Sequence, residues 1–240
     1  MTTFEDYSYV IHENKTIGIV RYNGRDEKPV IPQSIKGLPV TMIAKHAFMF
    51  TDITEIDIPE GIEAIDTEAF GGCENLQRVS LPSTLKDLGR GVFKGSEQLR
   101  EVVFPNGNEQ YRVHEGILHK ISERTLVFCP PGLKMKAVEV PYGTEVIAEA
   151  AFYQNSCLEY VALPDTLKKI ESAAFLYTNS LPIIELPPYL EEIEQDAFLV
   201  GSGPAAEKRF EIYAFPNSAG YRYAEEYNIK VNPLYFILRD

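Results

Sequence analysis

Few residues in this chain have the types and spacing that chemistry requires. His114, Glu115 and His119 fall together ahead of Cys129, a donor set of the kind that can bind a divalent metal. His114 and His119 are five apart, however, which puts them on opposite faces of a straight strand. His12 and His46 stand alone, and His46, beside Ala47, is expected in solvent. The pairs Glu191-Glu192 and Glu225-Glu226 have the composition of an acid/base dyad, but charge runs on turns and helix surfaces are ordinarily solvated. Cys73, Cys129 and Cys157 cannot all pair, and no C-x2-C spacing suggests zinc or a redox couple. They read as packed free thiols, with Cys73 and Cys157 as small buried hydrophobes in loops. Gly201-Ser202-Gly203-Pro204 lacks the Lys-Ser/Thr of a phosphate loop and reads as a surface loop. No G-x-S-x-G, H-E-x2-H or calcium-loop pattern occurs. The expectation is a chain with no catalytic residue, no metal and no cofactor.

The charge balance narrows the partners. Net charge is -12, with a pI near 4.9. Such a surface repels phosphate backbones and anionic lipid, so nucleic acid is not an expected partner. No apolar run reaches the 18 residues of a membrane span, and no membrane insertion is expected. Met1 to Asp6 has neither a basic nor an apolar leader segment. A cytoplasmic address is the expectation, with secretion or the cell surface as the alternative.

The elements that would position any site come from a repeat. Ala47-Phe48, Ala69-Phe70, Val92-Phe93, Ala151-Phe152, Ala174-Phe175 and Ala197-Phe198 recur with steps of 22, 23, 59, 23 and 23 residues between phenylalanines. Pro59, Pro82 and Pro105, then Pro141, Pro164 and Pro187, keep the same step within each group. The template is I/L-x3-A-F-x5-L-x2-V-x-L-P-x2-L. Val79 and Leu81 share one face of a short strand, which Pro82 ends because it has no N–H to donate. Asp66 to Gly72 reads as one short helical turn, with Ala69-Phe70 inward and Gly71-Gly72 stopping it. One coil cannot enclose an apolar interior; stacked coils can, with the phenylalanines as a spine.

The spacing predicts a single domain over 1-240. Residues 1-42 form an N-terminal cap with a hairpin turning at Glu13-Asn14-Lys15, and residues 43-105 form three coils. Residues 106-141 form an enlarged coil with strands near Tyr111 to Val113, Gly116 to Ile121 and Thr125 to Cys129. Residues 142-200 are regular coils. Residues 201-240 are a C-terminal cap in which Ser218 caps a helix with Tyr221 and Ala224 inward, followed by strands at Ile229 to Val231 and Leu234 to Leu238.

The I-x3-A-F and L-x2-V-x-L-P segments resemble the BspA-type leucine-rich repeats found in many bacterial surface proteins. The N-terminal run from Tyr9 to Ile43, the segment from Gly116 to Pro130 and the ending Asn217 to Ala224 extend the resemblance over nearly the whole chain. It departs from ordinary leucine-rich repeats in having no Asn or Cys ladder after the strand. The resemblance implies an α/β repeat solenoid: a right-handed leucine-rich-repeat fold with a parallel strand face, short helical turns opposite, and hairpin and helix caps. For exported relatives it implies adhesion or host-protein binding.

In such a solenoid the strand-lined face is the usual contact surface. The outward positions that form the candidate partner-binding row are Asp57, Arg78, Ser80, Glu101, Val103, Tyr160, Ala162, Ile183 and Glu185. The first part is polar. Tyr160, Ala162 and Ile183, with Val103, make an apolar stretch rimmed by Glu101, Glu139 and Glu185, as expected of a contact patch. These residues also suit a solvated sheet by β-propensity alone, or cover by the enlarged coil. Strands about 4.8 Å apart give eight layers a span of roughly 35–40 Å, better matched to a protein or a long glycan than to a small metabolite. The expected function is non-catalytic binding of a macromolecule, most simply a protein. A carbohydrate-binding or host-adhesion surface is the alternative, and an enzyme site in the enlarged coil the remote third.

Overall fold

The residue at the valine position of each repeat is the middle of a three-residue strand, such as Arg78–Ser80, and turns inward while its two neighbours turn outward. The computed structural model describes residues 2–198 and 210–235. These fall into two compact units, one of Met1–Ile121 with Phe128–Leu133, the other of Ser122–Val127 with Lys134–Asp240.

In the first unit β1 (Thr2–Phe4), β2 (Tyr7–Ile11) and β3 (Ile17–Tyr22) run antiparallel, the expected N-terminal hairpin with one strand added. β4 (Ser34–Ile35) pairs antiparallel with β5 (Leu38–Ile43), and β3 pairs with β5 in parallel. From there two parallel ladders alternate along the chain. β6 (Glu55–Asp57), β8 (Arg78–Ser80) and β10 (Glu101–Val103) form one; β7 (Ala64–Ile65) and β9 (Asp87–Leu88) continue β5 as the other. β11 (Tyr111–His114) and β12 (Ile117–Lys120) form an antiparallel hairpin in the enlarged coil. That coil docks on the preceding one through Gly132, whose N–H donates to Leu99 O at 2.8 Å. A Cβ there would lie 2.5 Å from Gln98 O, so only glycine fits.

In the second unit β13 (Thr125–Phe128, its last residue belonging to the first unit), β15 (Val146–Ile147), β17 (Lys169–Ile170) and β19 (Glu192–Ile193) make one parallel ladder. β14 (Ala137–Glu139) pairs with β16 (Tyr160–Ala162). β18 (Ile183–Glu185) pairs with β20 (Glu211–Ala214), and β20 with β21 (Lys230–Pro233). The helix α1 (Ala219–Glu226) is capped by Ser218, whose hydroxyl accepts from Tyr221 N at 3.2 Å.

The aromatic spine forms in both units. Tyr22, Phe48, Phe70, Phe93 and Phe128 follow one another with ring centroids 5.0–5.9 Å apart. Phe152, Phe175, Phe198 and Phe210 do so at 4.9–5.7 Å. All are buried. Apolar burial of this kind is the main stabilising contribution a stacked coil can make.

The Ala-Phe segments are turns rather than the expected helical turn. His46 and Phe50, Glu68 and Gly72, Gly91 and Gly95 have positive φ, and so do Ala150 and Gln154, Ala173 and Tyr177. This alternation turns successive N–H groups towards the next coil. Phe48 N donates to Ala69 O, Phe70 N to Val92 O, Phe152 N to Ala174 O and Phe175 N to Ala197 O, at 2.8–3.0 Å. A helix would have kept those hydrogen bonds inside one coil. Two smaller expectations are corrected. Tyr223, not Tyr221, is buried beneath α1 with Ala224. Cys157 is exposed, whereas Cys73 and Cys129 are buried. The expected loop at Gly201 to Pro204, and the expected last strand beyond Tyr235, lie outside the described residues.

Candidate functional site

The outer row of the first unit is held by its ladder register. Glu55, Arg78 and Glu101 form one file, and Asp57, Ser80 and Val103 the other. Ile56, Val79 and Val102 between them are buried. Opposite charges in adjacent strands pair directly. Arg78 reaches Asp57 at 2.8 Å and Glu101 at 3.6 Å, and Lys28 reaches Glu55 at 2.9 Å. Every carboxylate of this row has a cationic neighbour. Ser80 does not offer the contact expected of it. Its small side chain, between Asp57 and Val103, is only 8 % exposed.

The outer row of the second unit differs in character. Ala137 lies beside Tyr160 and Glu139 beside Ala162, over buried Val138 and Val161. Ile183 lies beside Glu211 and Glu185 beside Tyr213, over buried Ile184 and Ile212. Tyr160 is 56 % exposed and Ile183 37 %. β16 and β18 are neighbours, yet no ladder joins them. Pro182 removes one bond of such a ladder. The equivalent residues Gln77 and Glu159 donate N–H to the preceding coil, and proline has none to give. Glu211 is engaged by Lys230, and also accepts from Asn232 Nδ2 at 2.7 Å, which lowers its pKa.

The structure adds aromatics that the strand pattern did not mark. Tyr142, on the turn after β14, is 84 % exposed; Tyr189, after β18, is 69 % exposed. Tyr142 follows the repeat proline Pro141, where other copies carry Glu60, Ser83 or Asp165; Tyr189 stands one position further along, after Pro187-Pro188, where other copies carry Gly61, Thr84 or Thr166. Comparison of those columns between copies was the signal that could have found them.

The groups considered for chemistry do not assemble into a reactive site. His114 is exposed opposite Ile117, while His119 is buried opposite Arg112. Burial, then the charges of Arg112 and His114, hold His119 down at about 4. Among the described residues no group of three or more His, Cys, Asp or Glu is placed to hold a metal. Burial pushes the Cys129 thiol up to about 12, far from the thiolate that reactivity needs. His46 is solvent-facing and contacts Glu68 at 3.1 Å. Glu192 is paired with Lys169 at 3.2 Å, and Glu225 and Glu226 are exposed on α1. No described helix is long and apolar enough to cross a membrane.

Comparison with known proteins agrees with this architecture. A leucine-rich-repeat protein from Eubacterium ventriosum is similar in fold, with a TM-score of 0.56 at 10% identity, over 89% of this chain and 71% of that one. The pneumococcal vaccine antigen PcpA aligns with a TM-score of 0.47 at 17% identity, over 84% of this chain and 73% of its own. A leucine rich cell surface protein from Faecalibacterium prausnitzii aligns over 99% of this chain and 95% of its own, at 16% identity and a TM-score of 0.38. No curated protein sequence matches the chain. The model of the BspA type leucine rich repeat region matches residues 41–134 and 127–203 in six copies. With its stacked phenylalanines and alternating parallel ladders, the chain belongs to the BspA-type leucine-rich-repeat family.

Proposed function

We propose that this chain is a non-catalytic protein-interaction module, and that its partner binds the outward strand row of the second unit. Repeats of this family commonly serve as protein-interaction or surface modules. The observation that carries the choice of surface is the exposure of Tyr160 and Ile183 on neighbouring strands, beside Ala162. Aromatic and aliphatic side chains in such positions are the usual anchors of an interface. Asp57 and Glu101, which share the Arg78 guanidinium, are a poorer surface for a partner. The test is affinity capture with the wild-type chain and a Tyr160→Ala/Ile183→Asp double variant of equal thermal stability. A partner retained by the first and lost by the second supports the surface; equal recovery removes it.

A carbohydrate-binding alternative draws on different residues. Tyr142 and Tyr189 offer exposed rings on turns rather than on the sheet. Loss of glycan binding in a Tyr142→Ala/Tyr189→Ala variant, with the strand-face variant unaffected, would favour it.

A further inference from the structure

We infer that the segment docking on β14, β16 and β18 is cationic: a short peptide region rich in lysine or arginine, with an aliphatic or aromatic anchor. The inference rests on the protein-binding proposal and adds the chemistry of the partner. Glu139 and Glu185 stand on the same outward file as Ala162, with Asp165 following β16. All three are exposed, and among the described residues none makes an ion pair or a hydrogen bond through its side chain. The nearest cation in sequence to Glu139, Lys136, is already held by Glu159 at 2.8 Å.

The row of the first unit is arranged differently. There Lys28 and Arg78 are spent on Glu55, Asp57 and Glu101. In the second unit the apolar side chains and the unpaired carboxylates occur together. A neutral or acidic partner covering Tyr160 and Ile183 would bring those carboxylates out of water uncompensated, which costs heavily. A partner presenting two cationic groups on the order of 10 Å apart, about two strand spacings, would compensate them. The net charge of -12 adds long-range attraction for such a segment, within a Debye length of about 8 Å at physiological salt.

The experiment is selection of short random peptides on the intact chain, followed by anisotropy titration of the most enriched peptide against variants. Enrichment of Lys/Arg with an aliphatic or aromatic residue is expected. Glu139→Gln/Glu185→Gln should weaken that peptide by roughly tenfold and flatten its salt dependence. Glu225→Gln/Glu226→Gln, the same charge change on α1, should leave affinity within about twofold. Three results overturn the inference: enriched peptides that are neutral or acidic, no enrichment at all, or equal weakening by both double variants. If Tyr160→Ala/Ile183→Asp abolishes binding of a neutral peptide, the surface stands and only the charge assignment fails. If that variant and Glu139→Gln/Glu185→Gln both leave binding intact, surface and charge assignment fail together. Concentration-dependent dimerisation lost in Tyr160→Ala/Ile183→Asp would assign the face to a second copy and overturn the inference too.

Discussion

The hydroxyl of Tyr111 accepts the backbone N–H of Leu88 at 2.9 Å. In a parallel ladder alternate residues face opposite neighbours. Asp87 and Gly89 donate to the preceding coil, so Leu88 faces the one that follows. Tyr111 stands one repeat beyond Leu88, in the column of Ile65. Its side chain takes the N–H that a strand backbone would otherwise have taken, and so ends the ladder of β5, β7 and β9. Tyr111→Phe keeps the ring packed on Phe104, whose centroid is 6.2 Å away, and removes only the hydroxyl. We expect a loss of about 1–3 kcal/mol in denaturant unfolding. An unchanged midpoint would show that water replaces the hydroxyl without cost.

Asn108 performs the neighbouring task. It stands in the column of Ile62 and Leu85, where the repeat calls for an apolar side chain. Its Nδ2 lies 2.9–3.2 Å from the carbonyls of Pro82, Ser83 and Leu85, and its Oδ1 accepts from Gln110 N and Tyr111 N. Restoring the repeat with Asn108→Leu should therefore destabilise, by about 1–3 kcal/mol, because those groups lose their partners. A gain in melting temperature would mean that the apolar column outweighs them.

The spine can be tested against a phenylalanine two residues outside it. Phe70 is fully buried between Phe48 and Phe93, at 5.0 and 5.9 Å. Phe50 is exposed. Phe70→Ala should cost about 3–5 kcal/mol through lost contacts and a cavity. Phe50→Ala should stay within about 0.5 kcal/mol of wild type. Calorimetric melts of the two variants decide it; comparable losses would contradict the layered packing.

The repeat was legible because burial imposes a period: Phe48, Phe70 and Phe93 recur where each coil needs its ring. Hydrogen bonding left a fainter trace. Three residues after each phenylalanine stand Thr51, Cys73, Ser96, Asn155 and Thr178. Cys73 Sγ and Ser96 Oγ donate to the phenylalanine carbonyl of the preceding coil, at 3.1 and 3.0 Å, while Thr51 and Thr178 donate to their own. Taken singly, Cys73 looks like a small hydrophobe; taken as a column it is a donor. Cys157, two positions past that column, has no such duty and faces solvent. The turn geometry was hidden for a related reason. Positive φ at His46, Glu68 and Ala150 goes with N–H groups that donate to the next coil, and none of these residues is a glycine that would mark it, so an inward Ala-Phe pair before Gly71-Gly72 read as a helical turn. Of the candidate row, outward direction followed from alternation, but the ladder bond missing at Pro182 and the shadowing of Ser80 depend on neighbouring strands.

His119 makes stability depend on pH in a window of its own. Its Nε2 is buried without a hydrogen-bond partner, and the ring is held neutral down to about 4, against 6.5 when free. Between those values the unfolded chain binds a proton that the folded chain does not, so stability rises with pH there. It is complete above about 6.5 and is lost as pH falls towards 4. The full effect is about 3 kcal/mol, of which about 2 should appear between pH 7 and 5. Glu60 acts lower. Hydrogen bonds from Asn106 and Ser83 depress it to about 2 from 4.5, so its contribution is present above 4.5 and fades only below. Unfolding at pH 7 and pH 5 therefore separates the two. His119→Leu, which also removes the unsatisfied nitrogen, should abolish most of the difference and raise stability at pH 5. If the variant keeps the slope of the wild type, the burden lies on another group.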